Sequence, residues 1–295
     1  MLDSRLVTFM ELCKTLNYTK TAEHLHLTQP AVTQHIQYLE RHYGVKLFQY
    51  SKKQLSLTDQ GKLLESRIRT LNSDSKRLKR EICAIPEKEG DYICFGATPT
   101  IGEYIMPDIL ASFLTDHPEY RITMKVGNTK ELLSMLDQGE LDFALIEGFF
   151  NKEEYAWKTF VEEKFIGVCS PHSELASGKY HLEEVYRKPL LLREPGSGAR
   201  EILEQVLTEH NLSADNLSYT EIGNINVIKE LTGKNLGATF LYKAAAKKEL
   251  AEGKLSRIKI TDLQASREFH FVYLKDSIYG KRNLAFYQYC RKALK

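Results

Sequence analysis

The sequence predicts three consecutive structures: a small α+β module over residues 1–57, one long helix over 58–85, and an α/β body over 91–295. Three observations predict this. Polar caps and 3.6-residue periodicity mark two short helices ahead of a hairpin near residue 50. A heptad-like apolar stripe comes next. Beyond it, short apolar runs alternate with amphipathic segments to the end of the chain.

In the first module Thr19 can cap a short helix that turns Ala22 and Leu25 inward, with a tight break at His26-Leu27. Thr28 can cap a second helix, Gln29–Tyr43, with Pro30 in the first turn, where a missing N–H costs little. Val32, Ile36, Leu39 and Tyr43 make one apolar stripe, and Pro30, Gln34, Gln37 and Arg41 fall opposite, with Thr33 at the flank. Exposed amides on such a helix suit the major groove of double-stranded DNA, where they pair bidentately with adenine. Leu47-Phe48 then leads into Ser51-Lys52-Lys53-Gln54, a basic hairpin tip placed as a wing beside a helix-turn-helix. The candidate DNA contacts are Thr28, Gln29, Pro30, Thr33, Gln34, Gln37, Lys52 and Lys53.

Charge agrees. Residues 1–85 hold 14 Lys and Arg against 8 Asp and Glu, whereas the remainder is acidic although the whole chain is +2. No apolar run approaches the roughly 20 residues of a membrane span, and the first residues lack a secretion-signal pattern, so a cytoplasmic protein is expected. Five cysteines are scattered without metal-ligand or redox spacing, so neither a metal nor a cofactor is expected.

Thr58 can cap the next helix. Leu64, Ile68, Leu71, Ser75, Leu78 and Ile82 repeat with heptad spacing. A helix of about 25 residues rises about 37 Å, too long to be covered by a small module. Leu64, Ile68, Leu71, Leu78 and Ile82 therefore predict a helix-pair seam that would place two modules on a two-fold DNA site. Residues 85–91, with a proline, a glycine and charges, read as a linker.

In the body, extended runs are expected at Tyr92–Ala97, Arg121–Val126, Phe143–Ile146, 165–169, 190–193, 218–222, 238–242, 258–260 and 269–274. Helices are expected at 129–138, 198–210, 225–232, 243–252 and 281–294, with another split at Pro107. Such alternation predicts a parallel sheet. Ligands of open α/β sheets gather at strand C-termini beside helix N-termini. Small polar residues stand after four of these runs: Thr98 and Thr100, Asn128 and Thr129, Gly196-Ser197-Gly198, and Asn224. With Arg193, they are candidates for holding a small anion, although each is equally an ordinary cap or turn former.

The N-terminal segment resembles the LysR-type transcriptional regulators. Thr21-Ala22, Leu25, Thr28-Gln29-Pro30-Ala31-Val32-Thr33, Ile36, Leu39-Glu40, Gly44, Leu47-Phe48, Leu57-Thr58 and Gly61 stand in the order and spacing of that family. Two departures occur: Tyr50 stands where an arginine is usual, and Lys53 replaces the wing arginine, giving a point charge without a planar fork. The resemblance implies antiparallel pairing of the linker helix. It also implies a periplasmic-binding-protein-like effector domain of two α/β subdomains, 91–161 with 268–295, and 162–267. Crossover strands would lie near 161–164 and 263–268. Arg193-Glu194-Pro195-Gly196-Ser197-Gly198 is similar to a motif of regulators related to sulfur assimilation and carbon fixation.

A transcription factor is therefore expected, binding an inverted-repeat promoter site as a homodimer or homotetramer and responding to a small anionic effector, with RNA polymerase a candidate partner. An enzyme is not expected, because no nucleophile elbow, phosphate loop or His-Glu-x-x-His occurs. The rival reading is a solute-binding protein or metabolic enzyme of the same body fold with a helical N-terminus that does not bind DNA.

Overall fold

The computed structural model describes residues 3–51, 54–84, 92–213 and 218–294. Lys52, Lys53 and the predicted linker at 85–91 lie outside the described residues. The chain divides into two compact units: the N-terminal part with residues 136–140 and 274–280, and the remainder.

The first unit runs α1 (Ser4–Thr15), α2 (Tyr18–Leu25), α3 (Gln29–Tyr43), β1 (Phe48–Ser51), β2 (Gln54–Leu57) and α4 (Asp59–Ala84). The bounds of α3 match the sequence reading. The Thr28 hydroxyl accepts from Ala31 N at 3.3 Å, Pro30 sits in the first turn, and Gly44 closes the helix at φ 69°. The cap of α2 differs. Asn17, in extended conformation, accepts from Lys20 N at 3.0 Å, so Thr19 lies inside the first turn.

Helix α1 is absent from the sequence reading, yet it supplies Phe9 and Leu12, both fully buried, to a core with Ile36, Leu39, Leu47, Phe48 and Leu55. Tyr43, expected inward, is 46% exposed, its ring packed edge-on to His42 instead. Glu40 fixes the start of the hairpin, accepting from Leu47 N at 3.0 Å and Lys46 Nζ at 2.6 Å. Strands β1 and β2 pair antiparallel from Phe48↔Leu57 to Ser51↔Gln54.

Helix α4 has two faces. Leu64 packs half-buried on the core of the helical module and Ile68 is 3% exposed, so both already contact their own chain. Two of its buried polar side chains bond to the segment 275–278 of the same unit. Thr70 donates to Lys275 O at 2.9 Å, and Asp74 accepts from Ser277 Oγ at 2.6 Å and Ile278 N at 3.0 Å. Leu63, Leu71, Leu78 and Ile82 are about half exposed along the other face.

The second unit continues with β3 (Tyr92–Ala97), α5 (Pro99–Tyr104), α6 (Met106–Asp116), β4 (Arg121–Val126), α7 (Thr129–Asp137), β5 (Phe143–Ile146) and β6 (Tyr155–Cys169). Then come α8 (Leu182–Tyr186), β7 (Leu190–Leu192), α9 (Gly198–Glu209), β8 (Tyr219–Glu221), α10 (Ile225–Gly233), β9 (Thr239–Tyr242) and α11 (Lys243–Ala251). β10 (Ser256–Arg257), β11 (Ala265–Leu274) and α12 (Gly280–Ala293) close the chain.

Among the described residues a sheet runs β10-β6-β11-β5-β3-β4, with β9 also on β6. The sheet is mixed rather than parallel. β3 pairs parallel with β4 and β5, but β11 runs antiparallel to β5, and β9 and β10 antiparallel to β6. β6 spans the expected crossover at 161–164, and β11 begins two residues into that at 263–268. The run expected at 165–169 is only the buried end of the 15-residue β6. The run expected at 258–260 is no strand; it gives way to β10 and an isolated Tyr180↔Ile260 bridge. Helix α8 lies outside the sequence reading, and the predicted split at Pro107 falls two residues earlier, at Ile105. Stacked rings of Phe95, Phe143 and Phe271 fill the centre.

Gly61 generates a test. A Cβ there would overlap the carbonyl oxygen of Leu47, which is backbone and fixed by the hairpin. Gly61→Ala should destabilise the first unit by about 1–3 kcal/mol although alanine favours helix, because the overlap outweighs the propensity gain. Chemical unfolding followed by circular dichroism checks this; an unchanged or raised midpoint would show that the hairpin yields.

Candidate nucleic-acid interface and effector site

The buried face of α3 fixes what its other face presents. Val32, Ile36 and Leu39 are 0–4% exposed, and Gln34, Gln37 and Arg41 stand in solvent. Two residues at the helix start are oriented by each other. Gln29 Nε2 donates to Thr33 Oγ1 at 3.0 Å, and that hydroxyl donates to Gln29 O at 3.1 Å. Thr28 and Pro30 are exposed at the same end.

Beside it lies a groove lined by Tyr18, Thr19, Gln29, Tyr50 and Gln54. Tyr50, which stands in place of an arginine, is 71% exposed. The first turns of α2 and α3 both border this groove, and the amide ends of helices favour anionic groups such as phosphates. Thr19, Tyr50 and Gln54 are not among the sequence candidates. Tyr50 carries a signal, an exposed-type aromatic in a short polar hairpin.

In the second unit the expected anion-site residues have differing roles. Asn128 Oδ1 accepts from Glu131 N at 2.9 Å while Glu131 accepts from Asn128 N at 3.0 Å, a reciprocal cap of α7. Asn224 caps α10, accepting from Val227 N at 3.0 Å, and is exposed. The Thr129 hydroxyl accepts from Gly148 N at 3.2 Å. Arg193 is buried and held by Glu194 through two 2.7 Å bonds. Ser197 accepts from Arg200 N at 3.3 Å and donates to Glu194 O at 2.9 Å. Gly196, at φ 85°, makes the turn into α9 that a side chain would strain.

Thr98 and Thr100 are buried at the end of β3, beside a residue that sequence reasoning missed. Glu147, one residue past β5, is 2% exposed. It lies against the first turn of α9: an added Cβ at Gly198 would meet its Cγ and sit 3.0 Å from its Oε1. Gly198 is thus the residue that admits the carboxyl. Burial pushes the Glu147 carboxyl up to about 7. The Thr100 hydroxyl and the charges of Arg193 and Arg267 act against that rise, and Glu201 adds to it. Burial raises the Cys169 thiol to about 11 and the Cys290 thiol to about 12, which disfavours their thiolates.

Residues 4–62 match the bacterial regulatory helix-turn-helix protein family, lysR type, and residues 87–295 match the LysR substrate binding domain. The chain is 28% identical over 270 residues to the HTH-type transcriptional regulator CysL of Bacillus subtilis, covering 91% of this chain and 89% of CysL. It is 26% identical over 259 residues to a probable RuBisCO transcriptional regulator of Cyanidium caldarium, covering 85% of this chain and 81% of that protein. In structure it resembles the regulatory domain of Synechocystis CcmR in complex with 2-PG. That match has a TM-score of 0.63 and 17% identity and covers 70% of this chain and 98% of that domain.

The raised carboxyl makes a stability prediction. Unfolded Glu147 ionises near 4.5 and the folded group near 7. Its contribution is fully present below the unfolded value and is lost as pH rises through the folded value, on the order of 3 kcal/mol in all. Glu147→Gln should remove that slope. The wild-type and variant stabilities, followed by the single tryptophan, Trp157 of β6, should therefore diverge between about pH 5 and about pH 8 in favour of the variant. Parallel pH curves for the two proteins would show that Glu147 ionises normally.

Proposed function

The chain belongs to the LysR family of transcriptional regulators, in the subgroup related to regulators of sulfur assimilation and carbon fixation, and on that footing we propose how it reads DNA and senses its effector. The carrying observation is the solvent-facing row of Gln34 and Gln37 on a helix whose other face is locked into the core. Gln34 and Gln37 read base edges in the major groove, and Thr28, Gln29, Pro30 and Thr33 seat the helix end. Lys52 and Lys53 of the wing, with Tyr50 at its base, meet the backbone. The protein acts on the promoter inverted repeat in the cytoplasm, as a homodimer or homotetramer, and conveys its state to RNA polymerase. It regulates and does not catalyse.

The pairing seam is the exposed face of α4, made of Leu71, Leu78 and Ile82 with Leu63. Ile68, buried in its own chain, and the half-buried Leu64 support it from behind. Residues 91–161 with 268–295 and residues 162–267 act as the two effector subdomains. A small anionic effector binds between them, at Thr98, Thr100, Ser197 and the Gly198 amide, with Arg193 as the nearby fixed cation. The neighbour in complex with 2-PG supports this reading. Asn128, Thr129 and Asn224 cap or brace the surrounding elements.

Two variants test the proposal. Gln34→Ala should cost about 1–3 kcal/mol on the preferred operator and relax choice at one position per half-site, read by titrating labelled duplexes. Equal loss on every duplex would reduce Gln34 to a backbone contact. Leu71→Asp should abolish the dimer in sedimentation and lower operator affinity, since it places an unpaired charge in the seam. An unaltered oligomer would move the seam elsewhere.

A further inference from the structure

Among the described residues, Thr98 Oγ1, Glu147 Oε2, Glu201 Oε2 and Arg267 Nη1 are buried without a hydrogen-bond partner. They belong to one neighbourhood. The backbone joins the ends of β3 and β5, with Thr98 N donating to Leu145 O at 3.0 Å, and the charges of Glu201 and Arg267 both act on Glu147. Buried polar groups left unpaired are costly, so this cluster suits a polar ligand that completes it.

The cluster also sets a condition on the ligand. α9 is a twelve-residue helix whose first amides favour negative charge, and the Glu147 carboxyl already lies against them. An anion arriving here meets a second acceptor of like charge. Two such oxygens attract only if one proton lies between them. Resting on the reading that an anionic effector binds at this place, we propose that the site binds an oxyanion through one proton shared with the Glu147 carboxyl, and so discriminates by whether the anion brings that proton.

The groups that act on Glu147 come from several surrounding elements. Thr100 supplies a hydroxyl. Arg193, after β7, is held by Glu194, and Arg267 of β11 offers only hydrogen-bond donors. The Tyr242 phenol at the end of β9 is pushed well above its ordinary value by burial and stays neutral. Glu201 is the other acid, one turn along α9. Glu147 is the acid that lies against Gly198 at the first turn of α9, and its carboxyl is raised to about 7. Hydrogen phosphate, the main form of inorganic phosphate in mild alkali, donates its own proton to ionised Glu147. Sulfate has none, so its complex must take one up from solvent, which becomes tenfold harder per pH unit above the carboxyl's value.

The test measures stabilisation of the full chain by sodium phosphate and by sodium sulfate at about pH 6 and about pH 8.5, converted to dissociation constants. With Glu147 near 7, sulfate should weaken roughly thirtyfold across this range and phosphate by less than about threefold. In Glu147→Gln, whose amide is a permanent donor, the sulfate loss should vanish. If sulfate and phosphate respond alike to pH in the wild type, or if the Gln variant keeps the sulfate loss, the shared proton is refuted while the anion site stands. If neither anion stabilises the chain, or Ser197→Ala binds both as the wild type does, the anion site itself is refuted and the shared proton with it.

Discussion

The packing of one face of α3 is the constraint on which the rest depends. Ile36 and Leu39 are locked against Phe9 and Leu12 of α1 and against Phe48 of the hairpin, whose ring meets Phe9 edge-on at 5.6 Å. Burying side chains of this size stabilises by about 1.5–3 kcal/mol each relative to exposure. That energy sets the rotation of α3 about its axis, and with it the direction in which Gln34 and Gln37 point. It also sets the hairpin, because Glu40 on α3 holds the first residues of β1. Reading DNA is then a matter of which side chains remain outside.

The same logic applies to the proposed effector site in the other unit. Strands β3 and β5 end side by side, and their apolar residues are committed to the core. Thr98, Thr100 and Glu147, just beyond the strand ends, are polar but still enclosed. Gly198 leaves room for Glu147 at the start of α9, so a helix end suited to anions is shared with an acid of the same chain. Arg193 contributes less free charge than its type suggests, because both carboxylate oxygens of Glu194 engage one edge of its guanidinium.

Local signals made some elements legible. Thr28, Pro30 and Gly44 bracket α3 with a cap, a first-turn proline and a left-handed stop, each acting within a few residues. β3 and β5 are nearly continuous apolar runs, and β4 alternates Ile122, Met124 and Val126 with polar residues. Helix α1 was not legible. Its stripe is diluted by Thr8, whose buried hydroxyl meets Ser4 O within the helix and also His35 at 2.9 Å, a partner far along the chain. β6 reads short in the sequence because Lys158, Glu162, Glu163 and Lys164 interrupt its apolar pattern. Its first half is held by the neighbouring elements rather than by its own composition. Glu147 carries no local signal either. An acid after an apolar strand reads as a surface turn, and its burial depends on α9. The capping roles of Asn128, Ser197 and Asn224 are visible in the sequence as an alternative, and hydrogen bonds show that all three caps are made.

The central claim is that a rigidly oriented α3, presented twice by a paired α4, reads a two-fold DNA site. Selection of binding sequences by the full chain from a pool of randomised duplexes measures this most directly. The predicted result is one enriched half-site occurring twice in inverted orientation at a fixed spacing. An enriched set without a two-fold relation, or no enrichment above the starting pool, would contradict it.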